Sequence, residues 1–153
     1  MEFKWHLLIG FTISYILIYF FNFSIFAGII IFLSSWSIDI DHYFWYAFEM
    51  KDWNPIHAIN WYKKSIPKWF KLTLKEREDF RRGVFMLHSL IFLIILGALL
   101  FINKIFLWIL IGVAIHMVAD WIDLIKRNEP LYNKIFPCYV IRRNKNKKRL
   151  KEL

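Results

Sequence analysis

The residues of this chain best suited to metal chemistry are histidines and aspartates at the edges of long uncharged runs. Two carboxylates and an imidazole fall within four residues, and a His-x-x-x-Asp pair follows much later. The candidate ligands are His6, Asp39, Asp41, His42, His88, His116 and Asp120. Four imidazoles and three carboxylates exceed what one tetrahedral ion needs, which leaves a site of two ions open. This mixture of nitrogen and oxygen ligands suits Zn²⁺ or Mn²⁺ better than Ca²⁺.

Uncharged runs predict the elements that must hold these residues. Residues 5–38 contain no Lys, Arg, Asp or Glu, and as one helix they would be about 51 Å long, well beyond about 30 Å of bilayer hydrocarbon. Two helices folded back at Asn22-Phe23-Ser24 fit better, and a second turn is predicted at Asn103-Lys104. We predict an all-α, multi-pass membrane protein with four transmembrane helices in two hairpins and interfacial amphipathic helices. The predicted spans are about 5–21, 24–41, 84–102 and 105–124.

Helical rise predicts that the candidate ligands lie at one level. His6 lies about 24 Å before the first turn, and Asp39 lies about 26 Å after it. His88 lies about 22 Å before the second turn, and Asp120 lies about 24 Å after it. His116 and Asp120 are four residues apart and share one helix face. Ionisable groups at membrane depth are costly, so their convergence indicates a functional site.

The chain is predicted to form one domain followed by a tail. Residues 1–141 form the single membrane-embedded domain, and 142–153 form a basic cytoplasmic tail. The segment 43–82 interleaves Trp and Lys, which is typical of the headgroup region, although a lid over a substrate is an alternative. Thr73 and Glu76 make a possible capping box for a helix running through Arg81 and Arg82 into the third span.

The distribution of basic residues predicts orientation. The chain has 21 Lys and Arg residues, and in the predicted topology only Lys104 falls on the side opposite to the termini. The positive-inside rule then places both termini and the site on the cytoplasmic face of the cell membrane. Anionic lipid explains the basic tail, so no nucleic-acid partner is expected. Cys138 is the single cysteine, which excludes an internal disulfide.

In the short sequence blocks that contain the candidate ligands, the chain resembles the YdjM-like family of membrane-bound metal-dependent hydrolases. It is more distantly similar to zinc-dependent phospholipase C. The matching pieces are His6, Asp39-Ile40-Asp41-His42, Arg82-Gly83 with His88-Ser89, His116-Met117-Val118-Ala119-Asp120, and Pro137-Cys138. The block that contains Arg82-Gly83 and His88-Ser89 departs from the family pattern, because Arg81 stands where the family has a leading histidine. His57 is an alternative source of that imidazole.

The resemblance implies hydrolysis of a phosphoester in a lipid or lipid-linked substrate by metal-activated water. Asp39 or Asp41 would serve as general base, and Arg81 or Arg82 would hold a phosphate oxygen, with Arg82 the favoured one. Two noncatalytic classes are alternatives, and the first of them uses the same candidate ligands. One is a metal transporter or metal-binding membrane protein, and the other is a noncatalytic module that binds a partner through its basic tail.

Overall fold

The computed structural model describes residues 3–150, and secondary structure in that range is helical. The helices are α1 (Phe3–Phe21), α2 (Ile25–Ser37), α3 (Ile40–Met50), α4 (Pro55–Lys71), α5 (Leu74–Arg77), α6 (Leu90–Leu99), α7 (Ile105–Lys126), α8 (Tyr132–Ile135) and α9 (Pro137–Asn144). Extended pairing among the described residues is limited to one bridge between Phe80 and Lys148. The predicted all-α class is therefore confirmed.

Among the described residues, three helices are long and apolar enough to cross a membrane. They are Phe3–Phe21, Ile25–Met50, which joins α2 and α3, and Ile105–Lys126. A further apolar helix, α6, is shorter. Large apolar side chains on these helices are uncovered by protein, among them Phe11 on α1 and Ile94 on α6. Surfaces of this kind require an apolar solvent, so the helices are compatible with a membrane protein.

The described residues fall into two compact units. The first unit holds the residues up to Asp39 together with Met86–Leu131, and it contains α1, α2, α6 and α7. In this unit α1 ends at the predicted turn, where Asn22 adopts a left-handed backbone with φ of 54°. The Ser24 side chain then caps α2 by accepting a hydrogen bond from the Ala27 amide at 3.2 Å. Asparagine suits the first position because it tolerates a positive φ. Serine suits the second because its hydroxyl accepts a hydrogen bond from a backbone amide that has no partner within the helix.

The first unit buries an apolar core beside its polar residues. Ile38, Leu96, Val113 and Met117 form this core. Phe92 and other partly buried side chains pack around it. The core joins the end of α2 to α6 and α7, so it fixes the helices that carry the candidate ligands.

The second unit holds Ile40–Phe85 and the described residues from Tyr132 onward. Arg82 and Arg143 both donate to the Glu78 carboxylate, each at 2.8 Å. Partial burial raises the pKa of the Glu78 carboxyl, but the Arg143 hydrogen bond and the charges of both arginines outweigh it. They hold the pKa below its usual value. Glu78 therefore joins the α5 region to α9.

Two sequence predictions about residues 73–102 are wrong in detail. The Thr73–Glu76 capping box is present, but its helix ends at Arg77 rather than running through Arg81 and Arg82. The reason lies in the C-terminal segment, because the Arg81 amide donates to the Lys148 carbonyl at 2.8 Å. That bond uses a backbone group that a continued helix would need.

The third apolar segment is also shorter than predicted. It was expected over 84–102, whereas α6 spans Leu90–Leu99. Ser89 caps α6 by accepting from the Phe92 amide at 3.1 Å, and its hydroxyl donates to the Met86 carbonyl at 2.6 Å. These bonds hold residues 86–89 in a turn, so the helix cannot begin earlier.

The described part of the predicted basic tail is bonded to the second unit. The Lys148 amide donates to the Asp79 carbonyl at 2.9 Å, and Asn144 exchanges two hydrogen bonds with the Arg82 backbone. Arg149 lies 3.9 Å from the Glu49 carboxylate. The segment 142–149 is thus held against residues 78–82 rather than fully solvated.

Candidate metal centre

Small residues bring three helices of the first unit close together beside the candidate ligands. A methyl group at Gly112 on α7 would collide with the Ser34 hydroxyl and the Ile31 carbonyl oxygen of α2. One at Gly10 on α1 would collide with the Ser35 hydroxyl. Backbones can approach this closely only where a side chain is missing. α1 and α7 therefore both pack tightly against α2.

These glycines lie one turn from histidines of the site. Gly10 follows His6 by four residues, and Gly112 precedes His116 by four. Residues four apart share a helix face, so the close approach draws both imidazoles toward α2. His6 and His116 are both buried, and their rings stack with centroids 3.8 Å apart and planes inclined by 13°.

The backbone of α2 fixes the orientation of His116. Its Nδ1 lies 2.7 Å from the Ser35 carbonyl oxygen. A carbonyl can only accept, so Nδ1 carries a proton, and in the neutral imidazole Nε2 then presents a lone pair. Metal-binding histidines commonly donate their second ring nitrogen to a carbonyl in this way.

Three other ligand atoms lie around His116 Nε2. His88 Nε2 and His116 Nε2 are 2.9 Å apart, and Asp120 Oδ2 lies 3.4 Å from the first and 3.3 Å from the second. Asp39 Oδ1, from the turn after α2, lies 3.6 and 3.5 Å from the same two nitrogens. A tetrahedral Zn²⁺ with bonds of about 2.0–2.2 Å separates its ligand atoms by roughly 3.3–3.6 Å. Four of these five separations fall in that range.

His6 supplies a fifth group. Its Nε2 lies 3.3 Å from Asp120 Oδ1, but neither ring nitrogen of His6 makes a hydrogen bond although the side chain is buried. The distance therefore reflects proximity rather than hydrogen-bond geometry. A buried polar atom without a partner is costly, which makes His6 suited to a ligand that the protein itself does not provide.

The charges of the cluster fit a divalent cation. Asp39 and Asp120 place two carboxyl groups among imidazoles that are nearly inaccessible to water, and Asp120 itself is 2% exposed. Buried carboxylates require a compensating charge, and a divalent ion would supply it while occupying the centre of the ligand atoms. Within this unit, two groups have the spacing of metal ligands: His6 with Asp39 and His116, and His88 with His116 and Asp120.

The structure thus brings five of the seven predicted ligands together in the first unit. Asp41 and His42 belong to the second unit, where His42 Nδ1 lies 3.1 Å from Asp41 Oδ1 and its ring stacks on Phe85. Arg82, predicted to hold phosphate, is buried in the second unit and bonded to Glu78. The assignment of Asp41 and His42 to the site, and the role of Arg82, stay predictions.

Some contributors to this arrangement are absent from the predicted set. The Ser35 carbonyl orients His116, but a backbone group leaves no trace in residue type. Gly10 and Gly112 did leave a signal, since each places the smallest residue one turn from a candidate ligand on an otherwise bulky apolar helix. His57, the alternative imidazole, bonds through Nδ1 to Asp52 at 2.9 Å in the second unit.

Comparison with known proteins adds no assignment. No family model matches the chain, and no curated protein or solved structure matches it either. The resemblance to the YdjM-like hydrolases accordingly stays an expectation from the motifs.

Proposed function

We propose that this chain is a membrane-embedded, metal-dependent hydrolase. The observation that carries the proposal is the approach of His88 Nε2, Asp39 Oδ1 and Asp120 Oδ2 to His116 Nε2, with the His116 ring oriented by the Ser35 carbonyl. A divalent ion bound there would supply Lewis acidity toward a phosphoryl oxygen and toward water. Zn²⁺ is the ion we favour, with Mn²⁺ as the alternative, because the donors are a mixture of imidazole and carboxylate.

The ligands would divide the work according to their exposure. His88, His116 and Asp120 are buried and would hold the ion, whereas the Asp39 side chain is 22% exposed. Asp39 is therefore the group best placed to meet water or substrate and to accept a proton. His6, stacked on His116, would support the position of that ring or add a fifth ligand.

For the membrane arrangement we propose the four-span topology with the termini on the cytoplasmic face of the cell membrane. Its support is the charge asymmetry, which leaves Lys104 as the single basic residue on the far side. Although α6 is short, it lies within the uncharged stretch 83–103. Ligands near one end of the spans would meet the headgroup region, which favours a phosphoester of a lipid or lipid-linked molecule as substrate.

Hydrolysis is tested on detergent-purified protein with a chromogenic phosphodiester and a short-chain phospholipid. We expect turnover that a chelator removes and that Zn²⁺ or Mn²⁺ restores. His88→Ala should abolish it, whereas His57→Ala, which changes a histidine outside the first unit, should retain it. Turnover that persists in His88→Ala would contradict the proposal.

Burial of the cluster favours a second candidate, a metal-binding membrane protein without catalysis. His88 and His116 are almost fully buried, and a tightly enclosed ion has little room for substrate. Stoichiometric metal without turnover on either substrate would select this second function.

A further inference from the structure

The helix α4 of the second unit presents three distinct faces. Ala58 is buried, and Trp61 and Tyr62 beside it are partly buried, with the Trp61 ring 5.7 Å from that of Tyr46. This first face attaches α4 to its own unit. The two other faces are exposed and differ in character.

The second face is an exposed apolar stripe. Ile56, Ile59, Ile66 and Phe70 are all exposed, and their spacing of three, seven and four residues places them on one side of the helix. Lys63 lies within the stripe, where its long stem can follow the apolar surface and carry the ammonium outward. Isolated exposed apolar residues are ordinary, whereas apolar residues aligned on one side of a helix favour a binding surface.

The third face is basic. Lys64, Lys68 and Lys71 are exposed, and their spacing of four and three residues forms a row beside the apolar stripe. No acidic residue occurs anywhere in α4. An apolar stripe that borders a lysine row has the composition of a helix lying in the plane of an anionic membrane surface.

We propose that α4 binds the surface of a bilayer containing anionic phospholipid, with the apolar stripe in the acyl boundary and the lysine row on the phosphates. The occupant is argued from charge complementarity and from the chain itself, since a protein with three helices able to span a membrane carries that surface with it. The inference is independent of the metal centre, because it uses none of the candidate ligands.

Lipid charge should therefore decide how strongly α4 is held. Each lysine near an anionic surface raises the binding affinity by about fivefold, so three lysines acting together raise the affinity by up to roughly a hundredfold. Attraction between exposed charges is screened as salt rises above the physiological range. A protein partner on this face would show no such dependence on lipid headgroup.

The test is hydrogen–deuterium exchange of the full chain in nanodiscs of phosphatidylcholine alone or with 30% phosphatidylglycerol, at about 0.15 M salt. We expect amides of α4 to exchange about tenfold more slowly, or more slowly still, in the anionic discs. The K64Q/K68Q/K71Q variant should lose this difference. The charge-matched control K75Q/K104Q/K145Q removes three exposed lysines elsewhere and should keep it.

Two results would overturn the proposal. One is exchange in α4 that is the same in neutral and anionic discs, which would indicate a protein partner or an unoccupied face. The other is an equal loss in both triple variants, which would mean that total charge rather than the α4 row is responsible. Equal helix content of the variants by circular dichroism separates either result from misfolding.

Discussion

Gly112 offers a direct test of whether close packing of α7 on α2 builds the metal centre. In Gly112→Ala the new methyl group meets the Ser34 hydroxyl and the Ile31 carbonyl oxygen, and the Ser34 Cβ lies only 3.1 Å away. The hydroxyl can rotate, but the carbonyl belongs to the α2 backbone and moves only if the helices separate. Overpacking of this kind costs about 1–3 kcal/mol. His116 lies one turn away, so the same displacement should also weaken metal binding.

Gly97→Ala is the matched control, because a methyl group there has no atom within 4 Å. Both substitutions remove a glycine from a helix, which by itself stabilises by about 0.5–1 kcal/mol. We therefore expect Gly97→Ala to be slightly more stable than the parent protein and Gly112→Ala to be less stable. The difference between the two variants should be about 1–3 kcal/mol.

The assay is equilibrium unfolding in mixed detergent micelles, monitored by tryptophan fluorescence, with Zn²⁺ affinity measured on the same samples. Equal stability of the two variants would refute the close packing described for α2 and α7. A destabilised Gly112→Ala with unchanged Zn²⁺ affinity would show instead that the packing does not position His116.

Three further predictions concern other residues. His6→Phe removes two buried nitrogens that lack hydrogen bonds. In chelator the variant should therefore be more stable than the parent protein by about 1–3 kcal/mol, while its Zn²⁺ affinity falls. Lower stability in chelator would indicate an ion pair between His6 and Asp120 instead. The Glu78 carboxyl has a pKa below its usual value in the folded protein, so its contribution to stability is present above the unfolded-state pKa and is lost as pH falls through the folded-state pKa. The stability of Glu78→Gln, measured by unfolding at several pH values, should lack this acid-dependent loss. A pH profile identical to that of the parent protein would contradict the prediction. Chelation should lower the unfolding temperature of the parent protein, since an ion at about 100 times its dissociation constant stabilises by about 2.7 kcal/mol; no change on chelation would mean that the ion does not bind the folded state.

The features that sequence predicted well are those set by local pattern. The sequence indicated where α1 ends and α2 begins, because Asn22-Phe23-Ser24 interrupts the uncharged run of residues 5–38. The Thr73–Glu76 capping box was also visible, because both of its bonds join residues three apart. His116 and Asp120 were paired correctly by helical spacing, and they lie 3.3 Å apart.

The features that sequence could not predict depend on distant contacts. The helix beginning at Thr73 stops early because residues 79–82 pair with a segment more than sixty residues later in the chain. The orientation of His116 depends on a carbonyl contributed by Ser35, and any residue type could supply that group. Helical rise placed the ligands at one level, but it did not reveal which of them face one another.

The measurement that tests the metal centre most directly is metal content by ICP mass spectrometry after reconstitution with Zn²⁺ or Mn²⁺. We compare the parent protein, His116→Ala, Asp120→Asn and the control His57→Ala. The parent protein and His57→Ala should each retain about one ion, and the two site variants should retain none. Equal metal in all four proteins, or no metal in the parent, would contradict the site, and the cluster would then be a buried hydrogen-bond network.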